Sequence, residues 1–320
     1  MTNHDKILTH CRLCGHACGA DRLGGETGTC GAGADMVVAR HLLHFGEEPP
    51  ISGERGSGTI FFTHCPLSCA FCQNFQISQQ GMGNAVSVPD LVDMMLDLQN
   101  QGAHNINFVS PTPYVVHIAK AMTLARDKGL TIPIVYNTGG FDSPAALKIT
   151  EELVDIYLPD MKIAEPESVG RDAQERIIAG RLFNARNYAV VNRAALKEMH
   201  HQKGYLKFDD NGIAIKGMLV RHLVLPNNLS RTDGALTWLA ETFGPDIWIS
   251  LMAQYRPMHR ILSEPDQFPD LQRPITETEY QSAMDFCESL GLENVFVQDL
   301  EAVDTYVPDF ETDGVFERGE

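Results

Sequence analysis

Seven of the eight cysteines in this chain fall in two tight groups, and a thiol is the side chain best suited to holding a soft metal. Within THCPLSCAFCQNFQIS, residues 63–78, Cys65, Cys69 and Cys72 follow the spacing C-x3-C-x2-C with no fourth cysteine nearby. A structural metal site is normally closed by four protein ligands, so a site that stops at three leaves a coordination position free for chemistry. Three thiolates suit three irons of a [4Fe–4S] cubane, with the fourth iron left for a substrate or cofactor. The alternatives are a zinc site completed by another residue, such as the adjacent His64, or three buried thiols. Zinc sites more often use paired C-x2-C knuckles.

The other group, Cys11, Cys14, Cys18 and Cys30, is spaced C-x2-C-x3-C-x11-C in a Gly-rich setting. Four ligands in twenty residues with no core of their own describe a knuckle stapled by metal. Zinc would close it as a four-cysteine site. A second iron–sulfur cluster acting as an electron relay is the alternative, because the same thiols serve either metal. His16 could stand in for one cysteine. Cys287, alone on an expected helix, reads as a small buried hydrophobe.

Such groups need elements to position them. After a Pro/Gly-rich connection at 46–58, short apolar runs alternate with longer helical stretches. TIFFTH (59–64), INFVS (106–110), IPIVYNT (132–138), DIYLPDMK (155–162), MLVRHLVLP (218–226), DIWISLMAQY (246–255) and NVFVQD (294–299) read as strands. Helices are expected at 89–102, 113–129, 143–153, 168–203, near 231–243 and at 276–291. YLKFDDNGIAIKG (205–217) reads as a hairpin turned by Asn211-Gly212. This alternation implies parallel strands with covering helices. The expected fold class is α/β, an incomplete (β/α)6-type TIM barrel with a small amino-terminal metal-binding cysteine module. The divisions fall at 1–45 for the module, 46–298 for the partial barrel and 299–320 for an acidic tail on the surface. Chemistry in such barrels sits where strands end and loops begin, and Cys65 directly follows the first expected strand.

Composition sets the surroundings. The 320 residues are 43% hydrophobic and 21% charged, enough apolar material for a full core. A net charge of −17 repels phosphate backbones and anionic lipid, which disfavours nucleic-acid and membrane-surface roles. No secretory signal and no membrane-length apolar run is visible, so the chain reads as cytoplasmic. In a reducing cytosol clustered cysteines are metal ligands or redox thiols rather than disulfides.

With Phe71 as the aromatic, C-x3-C-x-aromatic-C directly after a first barrel strand resembles the radical S-adenosylmethionine enzymes. CQNFQIS, which contains Asn74, resembles their activating-enzyme branch, including the pyruvate formate-lyase activating enzymes. INFVSPTPY, YNTGGF, LPDMK and VRHLVLP resemble the activating-enzyme-like proteins that also carry an amino-terminal cysteine cluster; the likeness runs over residues 11–260. It implies an open iron that chelates S-adenosyl-L-methionine. One-electron cleavage then gives methionine and a 5′-deoxyadenosyl radical, which abstracts hydrogen from a substrate. It also implies a flavodoxin- or ferredoxin-type electron donor.

The resemblance further implies that strand-end pairs at Asn137-Thr138 and at Asp160 and Lys162 hold a monovalent cation and the cofactor carboxylate. Lys162 would pair with the carboxylate, while Asp160 and Thr138 would ligate a cation or ribose hydroxyls. Asn137 stands where an Asp is usual, which weakens a cation site. Ser110-Pro111-Thr112-Pro113 stands where the superfamily commonly has Gly-Gly-Glu, leaving the Thr112 hydroxyl or strand-edge carbonyls for the amino group. Arg221 matches an Arg near the nucleotide. Its neighbour His222 must face the opposite side of the strand, as a cofactor contact or as a satisfied core histidine. Ser250, Met252 and Gln254 share a face suited to a barrel lumen. Three functions follow: activation of a glycyl radical enzyme, radical modification of a peptide or small molecule, or a non-catalytic metal or electron-transfer protein.

Overall fold

The computed structural model describes residues 5–164, 172–300, 307–312 and 314–316. Its strands are β1 (Met36–His44), β2 (Ser57–Phe62), β3 (Asn84–Val86), β4 (Ile106–Val109), β5 (Ile134–Thr138), β6 (Ile156–Pro159), β7 (Lys207–Phe208), β8 (Ala214–Leu223), β9 (Trp248–Met252) and β10 (Val295–Val297). They form one sheet in the order β10-β9-β8-β6-β5-β4-β2-β1-β3, with β7 paired to β8. Neighbours from β2 to β10 run parallel, whereas β1 is antiparallel to both β2 and β3. The curved sheet does not close, because β10 and β3 are both edges. This is the partial α/β barrel expected from the alternation.

Strands buried on both faces read as continuous apolar runs, which is why each run was legible. Alternate residues divide between the two sides. On β2, Ile60 and Phe62 join the large core under the helices, and Phe61 joins a smaller apolar cluster with Val109. Val135, Ile156, Leu158 and Leu219 fill the lower lumen with Ile51. The helix Val88–Asn100 starts on a capping box, where Ser87 accepts from Asp90 N and Asp90 accepts from Ser87 N. A cap of this kind contributes about 1 kcal/mol.

The structure departs from the sequence reading in three places. The helical stretch expected over 168–203 is two helices, Asp172–Phe183 and Tyr188–Lys203, broken at Asn184 in the left-handed region (φ 57). Residues 168–171 of that stretch lie outside the described residues. β1 lies within the segment assigned to the cysteine module, yet its hydrogen bonds are to β2, so the sheet begins before residue 46. The segment expected as a surface tail packs instead: Phe310 and Val315 are 4% and 3% exposed. Phe310 meets Phe61 edge-on at 5.4 Å, and Phe316 stacks on His44 at 4.3 Å. Acidic composition masked two phenylalanines and a valine spaced to cover the unpaired side of the lumen.

Candidate active site in the barrel mouth

Cys65, Cys69 and Cys72 line one cavity of ≈ 340 Å³ at the carboxyl ends of the parallel strands. The loop that carries them leaves β2 through His64, whose φ of 62 turns the chain, and His64 N donates to Ile77 O at 3.0 Å. Ala70 N donates to Leu182 O at 2.8 Å and Ser68 N to Phe183 O at 3.2 Å, tying the loop to the end of the helix Asp172–Phe183. Phe71 is buried between Phe183 and Tyr255, edge-on to both. Asn74 lines the cavity and begins the short helix Phe75–Ser78.

Burial pushes the Cys65 thiol up to about 12 and raises Cys69 and Cys72 as well. Opposing it are the charge of Lys162 on all three sulfurs and hydrogen bonds from Leu67 N to Cys65 and from Asn74 N to Cys72. Cys72 Sγ also lies 3.3 Å from Ser78 Oγ. Among the described residues no three His, Cys, Asp or Glu side chains converge tightly enough to hold a metal ion as they stand. The donor set nevertheless fits a cluster. Three sulfurs share one wall, two receive a backbone N–H, and a fixed cation faces them. Bound iron would supply the charge that makes them thiolates.

Across the cavity Lys162 Nζ donates to Asp160 Oδ2 at 2.5 Å. Burial acts to lower the lysine, but Asp160 and Cys69 outweigh it, so the ammonium is held well above its ordinary range. The helix Tyr188–Lys203 fixes this pair through two residues one turn apart. Tyr188 Oη accepts from Lys162 N at 3.0 Å and lies 2.9 Å from Gly139 O. Asn192 Nδ2 donates to Gly140 O at 3.0 Å and Asp160 O at 2.8 Å. Gly140 (φ +69) permits that approach, since a Cβ there would lie 2.4 Å from Asp160 O.

Asn137 lines the cavity beside Asp160. Thr138 also borders it, but its hydroxyl donates to Asp142 Oδ2 at 2.6 Å. Thr112 does not reach the cavity wall. It is 2% exposed and donates to Asp142 Oδ1 at 2.8 Å, on the helix side of the sheet, so the amino-group role expected for it is corrected. Ser110, with φ 57, lines the cavity in its place and bonds to Cys65. Asp142 also accepts from Tyr136 Oη at 2.9 Å, and burial raises it. Nothing in its sequence setting, GGFDS, marked it out.

β8 sends its adjacent pair to opposite sides. Arg221 faces the lumen, where Nε donates to Glu48 Oε1 at 2.7 Å and Nη2 to Glu47. Burial alone would raise Glu48, but Arg221 holds it below the usual carboxylate range. These two acids sit in GEEPP, which reads as a connection; only the fold brings them beneath Arg221. His222 is the satisfied core histidine rather than a cofactor contact. Its Nδ1 donates to Met161 O at 2.7 Å, which leaves Nε2 to accept from Thr232 Oγ1 at 3.0 Å. Burial pushes it down to about 4. Ser250, Met252 and Gln254 all line the cavity.

The amino-terminal knuckle docks onto this mouth. Cys14 and Asp142 form a backbone bridge, Gly15 N donates to Phe141 O at 3.0 Å, and His16 Nε2 donates to Pro66 O at 2.8 Å, beside Cys65. Cys11 and Cys14 are buried, Cys30 half-buried and Cys18 exposed.

Residues 59–197 match the model of the Radical SAM superfamily. This stretch is similar to a Radical SAM superfamily domain. It runs from β2 through the cysteine loop and the Asp160–Lys162 pair to the helix bearing Tyr188 and Asn192. Enzymes of this superfamily use a [4Fe–4S] cluster and S-adenosyl-L-methionine. The uncharacterized protein MJ0674 of Methanocaldococcus jannaschii is 26% identical over 299 residues, covering 91% of this chain and 78% of that protein. HydG, a maturase of the [FeFe]-hydrogenase, superposes with a TM-score of 0.50 at 13% identity, over 78% of this chain. The chain spans about half of HydG (53%), and the likeness is one of fold. Methylornithine synthase (PylB) superposes at a TM-score of 0.45 with 14% identity, covering 75% of this chain and 63% of its own. No helix among the described residues is long and apolar enough to cross a membrane.

Proposed function

We propose that the chain is a radical S-adenosylmethionine enzyme whose substrate is a polypeptide, the glycine-bearing loop of a partner glycyl radical enzyme. The observation that carries the reading is the opposition, in one cavity, of three cysteines, Cys69 buried and Cys65 and Cys72 half-buried, and the Lys162–Asp160 pair. When bound, cluster and cofactor together supply a 5′-deoxyadenosyl radical on receipt of one electron from a flavodoxin- or ferredoxin-type donor. The residues do the positioning. Cys65, Cys69 and Cys72 hold three irons, and Lys162 pairs with the cofactor carboxylate. Phe71 and Leu67 exclude water, and Arg221 with Glu47 and Glu48 closes the lumen below. Support for a polypeptide substrate is the open sheet: β10 and β3 are unpaired edges, and the side between them is covered by a loop segment around Phe310 and Phe316 rather than closed by strands. Cys11, Cys14, Cys18 and Cys30 would hold zinc or a second cluster.

The test is anaerobic reconstitution followed by an assay for 5′-deoxyadenosine with candidate glycyl radical enzymes, watched by electron paramagnetic resonance. A glycyl signal that depends on the chain supports the reading. Cofactor cleavage without that signal, stimulated by a small molecule that is itself altered, would replace partner activation with small-molecule chemistry.

A further inference from the structure

Arg22 lies between the knuckle and the barrel and is 1% exposed. Its Nε donates to Gly33 O at 2.7 Å and its Nη1 to Pro113 O at 2.6 Å. Nη2 is buried with no hydrogen-bond partner. Among the described residues Arg22 makes no ion pair with a carboxylate; its other neighbour is the face of Tyr114, 5.7 Å away. Two carbonyls orient a guanidinium but do not neutralise it, and a buried charge without a counter-charge is strongly disfavoured. The same uncompensated charge acts on its surroundings: His117 is pushed down to about 4, first by burial and then by Arg22.

Backbone N–H groups point at the sulfurs of the knuckle. Cys14 receives the N–H of His16, Cys18 those of Ala20 and Thr29, and Cys30 that of Ala32. Arg22 lies near enough to Cys30 for its charge to reach that sulfur. A Cβ placed on Gly28 would lie 3.3 Å from Cys30 Sγ and 3.6 Å from Cys18 Sγ, so these two sulfurs flank one point. As thiols they give Arg22 nothing to balance.

We propose that Arg22 is the counter-charge of a four-thiolate metal centre on Cys11, Cys14, Cys18 and Cys30. This rests on the reading of those cysteines as metal ligands. Four thiols that release four protons and take up a doubly positive metal or cluster core leave a net charge of −2, and one guanidinium offsets half of it. Zinc and an oxidised cubane carry the same core charge, so the role of Arg22 is common to both. It is a positioning residue that acts through charge; it does not ligate.

The experiment uses the full chain, purified anaerobically, with zinc and iron counted per chain and released by titration with a chelator. Arg22→Met keeps the bulk and removes the charge; Arg22→Lys keeps the charge and loses the planar fork. Arg22→Met is expected to release the knuckle metal at roughly 10- to 100-fold lower chelator concentration, with Arg22→Lys in between. Melting temperature, read with and without that metal, separates charge from scaffolding. With metal, Arg22→Met should melt below wild type; without it, the variant should melt at or above wild type, because an unpaired buried charge has been removed. Equal lowering in both states would make Arg22 a structural bracket and overturn the proposal, as would unchanged metal release. A wild-type chain with no metal beyond the iron lost in Cys69→Ala would instead overturn the underlying ligand reading.

Discussion

Lys162 stands where two needs meet, pairing with Asp160 at 2.5 Å while its charge reaches the sulfurs of Cys65, Cys69 and Cys72. Replacing it with Ala removes a charge-assisted contact to a carboxylate, a loss of about 1.5–3 kcal/mol in cofactor binding. Equilibrium dialysis should show S-adenosyl-L-methionine affinity falling about 10- to 150-fold, while iron content and the cluster's visible spectrum persist. Cys69→Ala should do the reverse. The iron of this site and its spectrum should vanish, 5′-deoxyadenosine formation with them, and full activity in that variant would sink the ligand assignment. These residues were legible because their signal is local: three thiols in eight positions, and an Asp and a Lys two apart at a strand end. Glu47, Glu48, Asp142, Tyr188 and Asn192 were not. Each acquires its partner across at least one intervening element, except Asp142, whose burial beneath three hydroxyls is invisible in GGFDS.

At the scale of the element, β8 shows what alternation decides and what it leaves open. Period two requires Arg221 and His222 to face opposite sides, but not which residue faces the lumen. The choice follows from chemistry: Arg221 meets two carboxylates at the base of the lumen, and a neutral His222 bridges Met161 and Thr232 behind the sheet. Its folded pKa of about 4 lies below the ordinary 6.5. Between those values the unfolded chain binds a proton that the folded chain refuses. Stability is therefore full above pH 6.5 and falls as pH is lowered toward 4, by at most about 3 kcal/mol. Urea unfolding at pH 7.5 and pH 5 should show His222→Gln losing less stability over this interval than wild type; an equal loss would move the titration elsewhere. The parallel strands were read within a few residues, since burial on both faces writes them into composition, whereas antiparallel β1 and β3, less deeply buried, were not read as strands. The break at Asn184 was not, because one left-handed residue leaves no periodic trace.

For the whole molecule the governing feature is the open sheet and what lies across it. Phe310, Val315 and Phe316 pack on Phe61 and Val109, and Gln76 grips this segment at two points: its Nε2 donates to Asp309 Oδ1 at 3.0 Å and its Oε1 accepts from Phe310 N at 2.9 Å. Gln76 lies four residues beyond Cys72, so the covering segment is fastened to the cysteine loop itself. Deleting 307–320 removes a satellite cluster and spares the main core, so circular dichroism should retain the barrel's signal while chelators strip iron from the mouth several-fold faster. Unchanged stripping would mean that the segment shields nothing. The order of synthesis gives this arrangement a second meaning. A chain made from its amino terminus completes the cysteine loop ~240 residues before the segment that covers it. For that interval the three thiols have no cover, so a donor of iron and sulfide would reach them before the segment is in place. Reconstitution of the finished apo-protein should then be slower than that of the shortened chain, with the difference set by how often Gln76 lets go.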